Sequence, residues 1–423
     1  MMAWLKMGLR NLIKNGRRSL ITSLAIALAF GTVNLFDGFA TYMHHGNRAV
    51  AIYAMAQGHL AIFKQGFLQK GKLEPGKYLL TSNDVAQITE ICKAIPEVEL
   101  VTPQLNINGL LSNGRISTIF LAQGMVPSAR MQFLQHLAKM AARGNGSMRD
   151  KFEGEPLRDD RTNGVAVSSG LAKMLGLKLG DDAVTMGTTQ EGQMNALDAQ
   201  VMMTFTAGAE QVNDKIMIVP YAFAQQLYDT TGADHMAILL REDATAKTEA
   251  IRDLILKKCA EKGIDAEMET WVEMSEWYRK VKSMFDTIFR FLFLIVFIIV
   301  VMSVVNTMGM SVMERTREIG TLRAMGLKRR GVVMLFAIES MLLGVIGSIG
   351  GLILTFAGWA LVNVVKPTWS PPGMGNRLVI WIEWVPKTLV SSFIFMLLLC
   401  FIASVLPARR AAHQNIVDAL GHV

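Results

Sequence analysis

The stretch IFRFLFLIVFIIVVMSVVNTMGM, residues Ile288–Met310, decides the fold, because its almost unbroken apolar side chains are enough to cross ~30 Å of hydrocarbon as one helix. Three further runs, Ser19–Tyr42, Val332–Val365 and Thr388–Leu406, are long and apolar enough to do the same. About 240 residues of more polar sequence separate the first run from Ile288, enough for one or two folded domains. The sequence therefore predicts an α-helical membrane protein with four transmembrane helices and a large mixed α/β extracytoplasmic domain inserted between helices 1 and 2.

The composition agrees with this prediction and argues against nucleic-acid binding. Of the 423 residues, 51% are hydrophobic and 18% are charged, which is more apolar surface than a soluble domain hides. The net charge of +8 suggests nucleic acid, but Met43–Ile288 holds 26 Lys and Arg against 29 Asp and Glu. The positive excess therefore lies beside the apolar runs, and we expect no nucleic-acid partner.

The placement of charge also predicts the topology. Positions 1–18 contain five basic residues and no acidic residue. Two more basic clusters lie between the second and third runs and after the fourth. Cytoplasmic flanks are enriched in Lys and Arg, so both termini are expected inside and the polar domain outside. No small-residue cleavage site follows the first run, which is expected to be a retained signal-anchor helix. The predicted segments are a cytoplasmic amphipathic helix (1–18), TM1 (19–42), a periplasmic α/β domain (43–287), TM2 (288–310), a cytoplasmic coupling helix loop (311–331), TM3 (332–365), a short periplasmic loop (366–387), TM4 (388–406) and a cytoplasmic tail (407–423).

Local patterns within the polar domain alternate between strands and helices, which favours small α/β subdomains. Val98–Leu105 alternates like a strand, and a capped helix is expected from Ser82 to about Ala94. Residues 127–163 predict a helical insertion followed by a mobile loop. Because segments near both ends of the domain bracket the rest, we expect two subdomains, one stalk-proximal and one inserted and outer.

No pattern on this chain predicts catalysis or a metal site. The sequence contains no GxSxG, no HExxH and no GxxxxGK[ST], the phosphate-binding loop of P-loop ATPases. The three cysteines, Cys92, Cys259 and Cys400, lack metal-ligand spacing, although a disulfide between the first two is permissible in an oxidising compartment. We therefore expect no catalytic residue, no metal and no cofactor on this chain, and no unaided hydrolysis of ATP.

The most informative short segment, MERTREIGTLRAMG (Met313–Gly326), lies between the second and third apolar runs. As a helix it pairs Glu314 with Arg317 at i,i+3 and ends at Gly326. It also places three apolar side chains along one side, Ile319, Leu322 and Met325. Two interpretations stay open, namely a basic helix that contacts anionic lipid and a docking helix for a cytoplasmic partner.

A few residues inside the apolar runs have two interpretations each. Asn34 and Asp37 in the first run, and Glu339 in the third, are either functional or ordinary polar residues with a partner in the bundle or at the interface. Gly347 and Gly351 form a GxxxG pair, which favours close approach of another helix.

The segment ERTREIGTLRAMG (Glu314–Gly326) resembles the signature after the second membrane helix in ABC transporter permeases of the MacB/LolC/LolE/FtsX family. Residues 127–163 and 187–213 match nothing in that family. Elsewhere the resemblance runs through the whole chain in the family's order: GLRNLIKNGRRSL (Gly8–Leu20) before the first helix, GVAVSSGLAKMLGLKLGD (Gly164–Asp181) and IVPYAFAQQL (Ile218–Leu227) in a MacB-like periplasmic domain, and LPARRAA (Leu406–Ala412) with IVDAL (Ile416–Leu420) at the end.

This resemblance implies a permease subunit that couples ATP hydrolysis on separate ATPase subunits to motion of its periplasmic domain in the inner (plasma) membrane. The implied partners are two ATPase subunits, which bind ATP and Mg²⁺, a second permease copy or paralogue, membrane lipid, and a periplasmic adaptor or acceptor protein. The implied substrate is a lipoprotein, a lipid or another hydrophobic molecule. One alternative is an FtsX-like regulator that activates a cell-wall hydrolase without transport, and another is a sensor that reports a ligand to the ATPase.

The resemblance also implies three groups of working residues besides the glycine pair. Contact with the ATPase is expected from Glu314, Arg317, Glu318, Ile319, Leu322 and Arg323. The cytoplasmic interface is expected to include Arg17, Arg18, Pro407, Arg409 and Arg410. An apolar cavity open to the outer leaflet in a dimer is expected to be lined by residues that in other proteins often simply face lipid, namely Leu24, Ile26, Leu28, Phe30, Phe289, Phe293 and Phe297.

Overall fold

The computed structural model describes residues 2–14, 16–71, 73–142, 152–369, 378–416 and 419. The predicted mobile loop after residue 142 lies largely outside this range, as do residues 370–377 of the predicted outer loop and most of the last seven residues. The chain forms two compact units. The helical unit comprises Met1–His44, Lys282–Pro367 and Ile380–Val423, and the α/β unit comprises His45–Val281 and Thr368–Val379.

The helices vary widely in length. They are α1 (Met2–Lys14), α2 (Gly16–Ala49), α3 (Phe67–Lys70), α4 (Pro75–Tyr78), α5 (Ser82–Lys93), α6 (Pro127–Ala142), α7 (Ser169–Leu175), α8 (Tyr221–Tyr228), α9 (Thr248–Glu261), α10 (Trp271–Met274), α11 (Glu276–Glu314), α12 (Thr316–Ala324), α13 (Arg329–Val365) and α14 (Pro386–His413). A π-helical turn, Val50–Ala54, continues α2. Within the described residues, four helices are long and apolar enough to cross a membrane, namely α2 with its π-helical turn, α11, α13 and α14. The predicted number of membrane helices is therefore confirmed.

The strands are β1 (Leu60–Lys64), β2 (Val98–Ser112), β3 (Ser117–Met125), β4 (Glu153–Gly154), β5 (Gly164–Ser168), β6 (Asp182–Thr188), β7 (Met194–Phe205), β8 (Ile216–Pro220), β9 (His235–Leu240), β10 (Ala266–Thr270), β11 (Thr368–Trp369) and β12 (Leu378–Val379). The first ten form one sheet in the order β10-β1-β9-β2-β3-β8-β5-β7-β4, with β6 against β2 and β7. The long strand β2 pairs with β9 through its first half and with β3 through its second. One sheet thus runs through the whole unit, and its division into two subdomains stays a prediction.

Separate apolar cores lie along this sheet. Helices α5 and α9 cover one end, where the core includes Ile88, Ile255 and the free cysteines Cys92 and Cys259. Helices α7 and α8 cover the other end, around Phe120 and Phe223. Helix α5 begins with a capping box, since Thr81 and the third helical residue, Asp84, bond each other's backbone N–H. Burial raises the pKa of the Cys92 thiol to about 12, so this thiol is inert at neutral pH.

His59 joins the first and last parts of the α/β unit. Its backbone N–H donates to Ile238 O at 2.8 Å, and its carbonyl accepts from Trp271 N at 2.9 Å. The ring is fully buried, with Nδ1 accepting from Leu240 N at 3.1 Å. The other nitrogen, Nε2, therefore carries the proton and donates to Thr245 Oγ1 at 3.1 Å. A protonated ring would present an N–H to the N–H of Leu240.

We predict that the stability of the protein depends on pH through His59. Burial, with smaller contributions from Arg48 and His136, lowers its pKa from 6.5 to about 4. Because the unfolded chain then binds more protons between these values, the contribution of neutral His59 is complete above pH 6.5 and is lost as the pH falls towards 4. Thermal unfolding of the purified protein between pH 7.5 and 4.5 tests this, with an expected loss of about 3 kcal/mol at most.

The variant His59→Gln cannot titrate, so its unfolding temperature is expected to fall less over the same pH interval. The matched control is His413→Gln, which replaces an exposed histidine and is expected to keep the wild-type pH profile. Parallel profiles for wild type and His59→Gln would contradict the prediction.

The helical unit is held together by close contact between α2 and α13. A Cβ atom built on Gly347 lies 2.6 Å from Ile26 Cβ, and one built on Gly351 lies 2.7 Å from Phe30 Cβ. Real Cβ atoms do not approach so closely, so these two positions admit glycine only. At the C-terminal end of α13, Asn363 donates from Nδ2 to Ile382 O at 3.0 Å and accepts from Ile382 N at 3.0 Å. This pair fixes the segment that precedes α14.

We predict that Gly347→Ala destabilises the helical unit by about 1–3 kcal/mol, because the added methyl group overpacks the contact with Ile26. Thermal unfolding in detergent measures the effect. The control is Gly309→Ala on α11, where a Cβ atom meets nothing within 4 Å. Alanine there is expected to leave the unfolding temperature unchanged or raise it slightly, since it favours helix over glycine. Equal stability of the two variants would contradict this account of the contact.

Candidate functional site

The predicted loop helix is a separate helix that begins at a break. Helix α11 ends at Glu314, Arg315 has φ −115° and ψ 17°, and α12 starts at Thr316. The Thr316 hydroxyl donates to Val312 O and Met313 O, both at 3.0 Å, and so competes with the helical hydrogen bonds of α11. Past α12, Gly326 adopts φ +98°, a conformation that favours glycine and stops the helix as predicted.

Arg315 connects this break to both neighbouring helices. Its Nε donates to Glu318 Oε2 of α12 at 2.9 Å, and its Nη1 donates to Glu339 Oε2 of α13 at 3.1 Å. The guanidinium carbon also lies 5.8 Å from the ring centroid of Phe336 on α13. Only 12% of the Arg315 side chain and 3% of the Glu339 side chain are exposed. The acid predicted to lie inside the third apolar run therefore has a buried cationic partner.

Two more contacts tie this segment to the remaining membrane helices. Glu314 forms an ion pair with Arg18 near the start of α2. The guanidinium of Arg323 donates to the carbonyl of Gln414, the residue that ends α14. The predicted pairing of Glu314 with Arg317 is wrong, because the helix breaks between them and Glu314 contacts α2 instead. Helix α12 and its flanks thus connect to α2, α13 and α14, and α11 precedes it in the chain.

The residues predicted to contact an ATPase divide between the surface and the interior. Glu314, Arg317 and Glu318 are exposed, and Leu322 and Arg323 are half-buried. Ile319 is buried in the core of the helical unit, so its predicted surface contact is wrong in this chain. Met325, expected on the same side as Ile319, is 72% exposed.

Sequence reasoning missed an exposed face built from both sides of the break. Met313 at the end of α11 is 74% exposed, and Arg317, Thr321, Ala324 and Met325 follow at helical spacing with exposed side chains. Flexible methionines beside a cation suit a protein-binding surface. The two methionines in the motif were a signal for this face, but the sequence pattern placed Met325 on the same side as the buried Ile319.

The other predicted residues lie at both ends and in the middle of the helical unit. Arg17, Arg409 and Arg410 are exposed, and Pro407 is buried within α14.

Ile26 and Phe30 do not line a cavity, because they fill the space left by Gly347 and Gly351. Leu24 and Leu28 are exposed one turn apart on α2, and Phe297 is exposed on α11, whereas Phe289 and Phe293 are half-buried. The rings of Phe293 and Phe395 lie 5.0 Å apart. Within the described ranges, no group of three or more His, Cys, Asp or Glu side chains could hold a metal ion.

Comparison with known proteins shows what this arrangement is similar to. Residues 290–416, which include α12 and its contacts, match the family described as FtsX-like permease C-terminal. The macrolide export ATP-binding/permease protein MacB 1 of Yersinia pestis bv. Antiqua (strain Antiqua) is 31% identical over 206 residues, 48% of this chain and 30% of that protein. The pyoverdine export ATP-binding/permease protein PvdT of Pseudomonas putida is 23% identical over 351 residues, 81% of this chain and 48% of that protein. The chain therefore spans less than half the length of these relatives.

A shorter match joins the chain to a smaller protein. The ABC transporter permease YtrF of Bacillus subtilis (strain 168) is 32% identical over 122 residues, 27% of each protein. Among solved structures, the periplasmic region of MacB from Actinobacillus actinomycetemcomitans aligns with a TM-score of 0.35 at 12% identity, covering 52% of this chain and 92% of that one. That score is too low to establish a shared fold. The sequence matches confirm the family resemblance inferred from the motifs.

Proposed function

We propose that this ABC transporter permease of the MacB/FtsX type couples ATP hydrolysis on separate ATPase subunits to motion of its α/β unit, acting on a lipoprotein, lipid or other hydrophobic substrate. The observation that carries the proposal is the position of α12. This helix of nine residues has an exposed face, and the helix together with its preceding residues Glu314 and Arg315 is fastened by side-chain contacts to α2, α13 and α14. A partner that moves α12 therefore acts on all of these helices together.

The chemistry of the exposed face supports an ATPase as that partner. The side chains of Met313, Arg317 and Met325 are all exposed, and the acids nearby, Glu314 and Glu318, already have basic partners. The exposed cation of Arg317 and the two soft apolar side chains therefore remain available to a groove on another protein. The relatives MacB 1 and PvdT are each named as an ATP-binding/permease protein. For this permease, the ATP-binding part is proposed to lie on a separate chain.

A displacement of α12 can be transmitted through helices that contact one another and through the chain that continues from them. Helix α13 contacts α2 through Gly347 and Gly351, and such close contacts keep two helices in register. Helix α2 is unbroken from Gly16 to Ala49, and five residues separate the π-helical turn that continues it from β1. Helix α11 likewise begins at Glu276, close behind β10. Both helices thus reach segments of the α/β unit through the chain itself.

The proposed location is the inner membrane, with α12 in the cytoplasm and the α/β unit in the periplasm, as the basic clusters indicate. A second copy or a paralogue is proposed to complete the permease, together with two ATPase subunits, membrane lipid and a periplasmic adaptor or acceptor protein. The proposed substrate class, a lipoprotein, a lipid or another hydrophobic molecule, rests on the family resemblance and not on the named exports of the relatives.

We predict that Arg317→Glu weakens binding of the ATPase subunits about tenfold, equivalent to about 1.4 kcal/mol, because it reverses the charge of the exposed face. The measurement is the amount of ATP-hydrolysing partner that co-purifies with the tagged chain, and the ATPase activity of the complex. The control is Arg115→Glu, an exposed arginine of the α/β unit, which is expected to bind the partner like wild type. Equal binding by both variants would contradict the proposal, and so would ATP hydrolysis by the purified chain alone.

We predict the topology from single cysteines at exposed positions. A cysteine at Glu191, in the turn between β6 and β7, is expected to react with a membrane-impermeant maleimide on cells whose outer membrane is permeable. A cysteine at Ala324 on α12 is expected to react only after the inner membrane is opened. The native cysteines are all buried and give little background. The reverse pattern would place α12 outside and exclude an ATPase at that surface.

A further inference from the structure

Glu339 is a carboxylate in the middle of the helical unit, and burying it requires a partner. An ionisable group within a membrane helix costs free energy unless it is paired or reaches water. Arg315 supplies the partner, and it does so from the break between α11 and α12 rather than from a neighbouring turn of α13. The pair therefore joins two parts of the chain that helix formation alone would leave independent.

The guanidinium uses separate atoms for its two acids. Nε binds Glu318 on α12 and Nη1 binds Glu339 on α13, while its plane approaches the ring of Phe336. A planar fork of donors makes such a double contact with fixed geometry, which the single ammonium of lysine does not. Arg315 thus holds α12 and α13 in one orientation relative to each other.

Glu339 also lies on the part of α13 that leads to the glycine contact. Glu339, Leu343, Gly347 and Gly351 follow each other at intervals of four residues, which form one ridge of a helix. All four are buried. A displacement received at Glu339 is therefore delivered along the same ridge to Ile26 and Phe30 of α2.

We infer that Arg315 is a positioning residue that makes α13 move together with α12, while the break at Arg315 lets α11 change its angle to α12. The inference rests on the proposed coupling to an ATPase and adds the route by which the motion enters the membrane helices. If Arg315 serves only to neutralise a buried acid, replacing both residues of the pair with apolar ones leaves the coupled movement of α12 and α13 unchanged.

The test measures distances within the full complex of chain and ATPase subunits in lipid nanodiscs. Spin labels are attached at Ala324 on α12 and at Leu361 near the outer end of α13, or at Ala324 and Met302 on α11; all three side chains are exposed. On trapping with ATP and vanadate, the wild-type distance from 324 to 361 is expected to stay constant and the distance from 324 to 302 to change. A constant 324–302 distance with a changed 324–361 distance would overturn the inference.

The deciding variant is the double substitution Arg315→Met with Glu339→Leu, which removes both charges of the buried ion pair. Such apolar replacements of buried pairs often preserve stability. With thermal stability retained, the constancy of the 324–361 distance is expected to be lost, whereas a purely structural role predicts that it persists. Glu339→Gln, which keeps the shape of the side chain and one hydrogen-bonding oxygen, is the second variant and is expected to show an intermediate loss.

Arg18→Gln serves as the matched control, since it breaks an exposed ion pair at the same break without touching α13. It is expected to leave the 324–361 distance constant. Loss of that constancy in Arg18→Gln, or its persistence in a stable double variant, would overturn the inference. If no ATPase binds the wild-type chain, or if neither wild-type distance responds to nucleotide, the proposed function itself fails and the inference falls with it.

Discussion

Hydrocarbon offers no hydrogen-bonding partner, so every polar group on a membrane helix must find one within the protein. In the helical unit this constraint joins helices that are far apart in the sequence. Asn34 of α2 donates to Ser392 Oγ of α14 at 3.0 Å. The hydroxyls of Thr22 on α2 and Thr307 on α11 lie 2.5 Å apart. The carboxylate of Glu339 obeys the same rule by binding an arginine. Polar residues that would each cost free energy alone thereby fix the helices relative to one another.

Apolar packing cannot do this alone, because lipid tails solvate a leucine as well as another helix does. Close approach gives packing its specificity, and it requires small residues. Gly347 and Gly351 admit the side chains of Ile26 and Phe30, so α2 and α13 meet along a line that only this register satisfies. Near the C-terminal end of α13, Asn363 binds both backbone groups of Ile382. The bundle is therefore closely packed where α13 meets its neighbours, and the helical chain from α11 to α12 is broken at Arg315.

The sequence predicts well what depends on local properties and poorly what depends on distant contacts. Length and apolarity sufficed for the four membrane helices, since both are properties of a single segment. The break at Arg315 was missed because its cause includes Glu339, which lies 24 residues away. That one error put Glu314 with the wrong partner, and the burial of Ile319 was missed because it depends on contacts with the other helices of the unit. Likewise, Ile26 and Phe30 were assigned to a cavity because an apolar residue that faces a helix looks the same in sequence as one that faces lipid. The mixed parallel and antiparallel order of the sheet is equally a matter of contacts between distant strands.

Helices α11 and α13 differ in how many of their residues are buried within this chain. This difference explains why a helix break at Arg315 favours the transmission of motion from α12 to α13. In the most apolar window of α11, 11% of the residues are buried within this chain, against 56% in that of α13. A helix with few neighbours can tilt without carrying other helices with it, whereas a helix that packs against several neighbours displaces them when it moves. If α12 continued α11 as one rigid helix, a displacement of α12 would mainly tilt α11. With the break at Arg315 and the ion pair to Glu339, the same displacement moves α13 instead, and the glycine contact of α13 transmits it to α2.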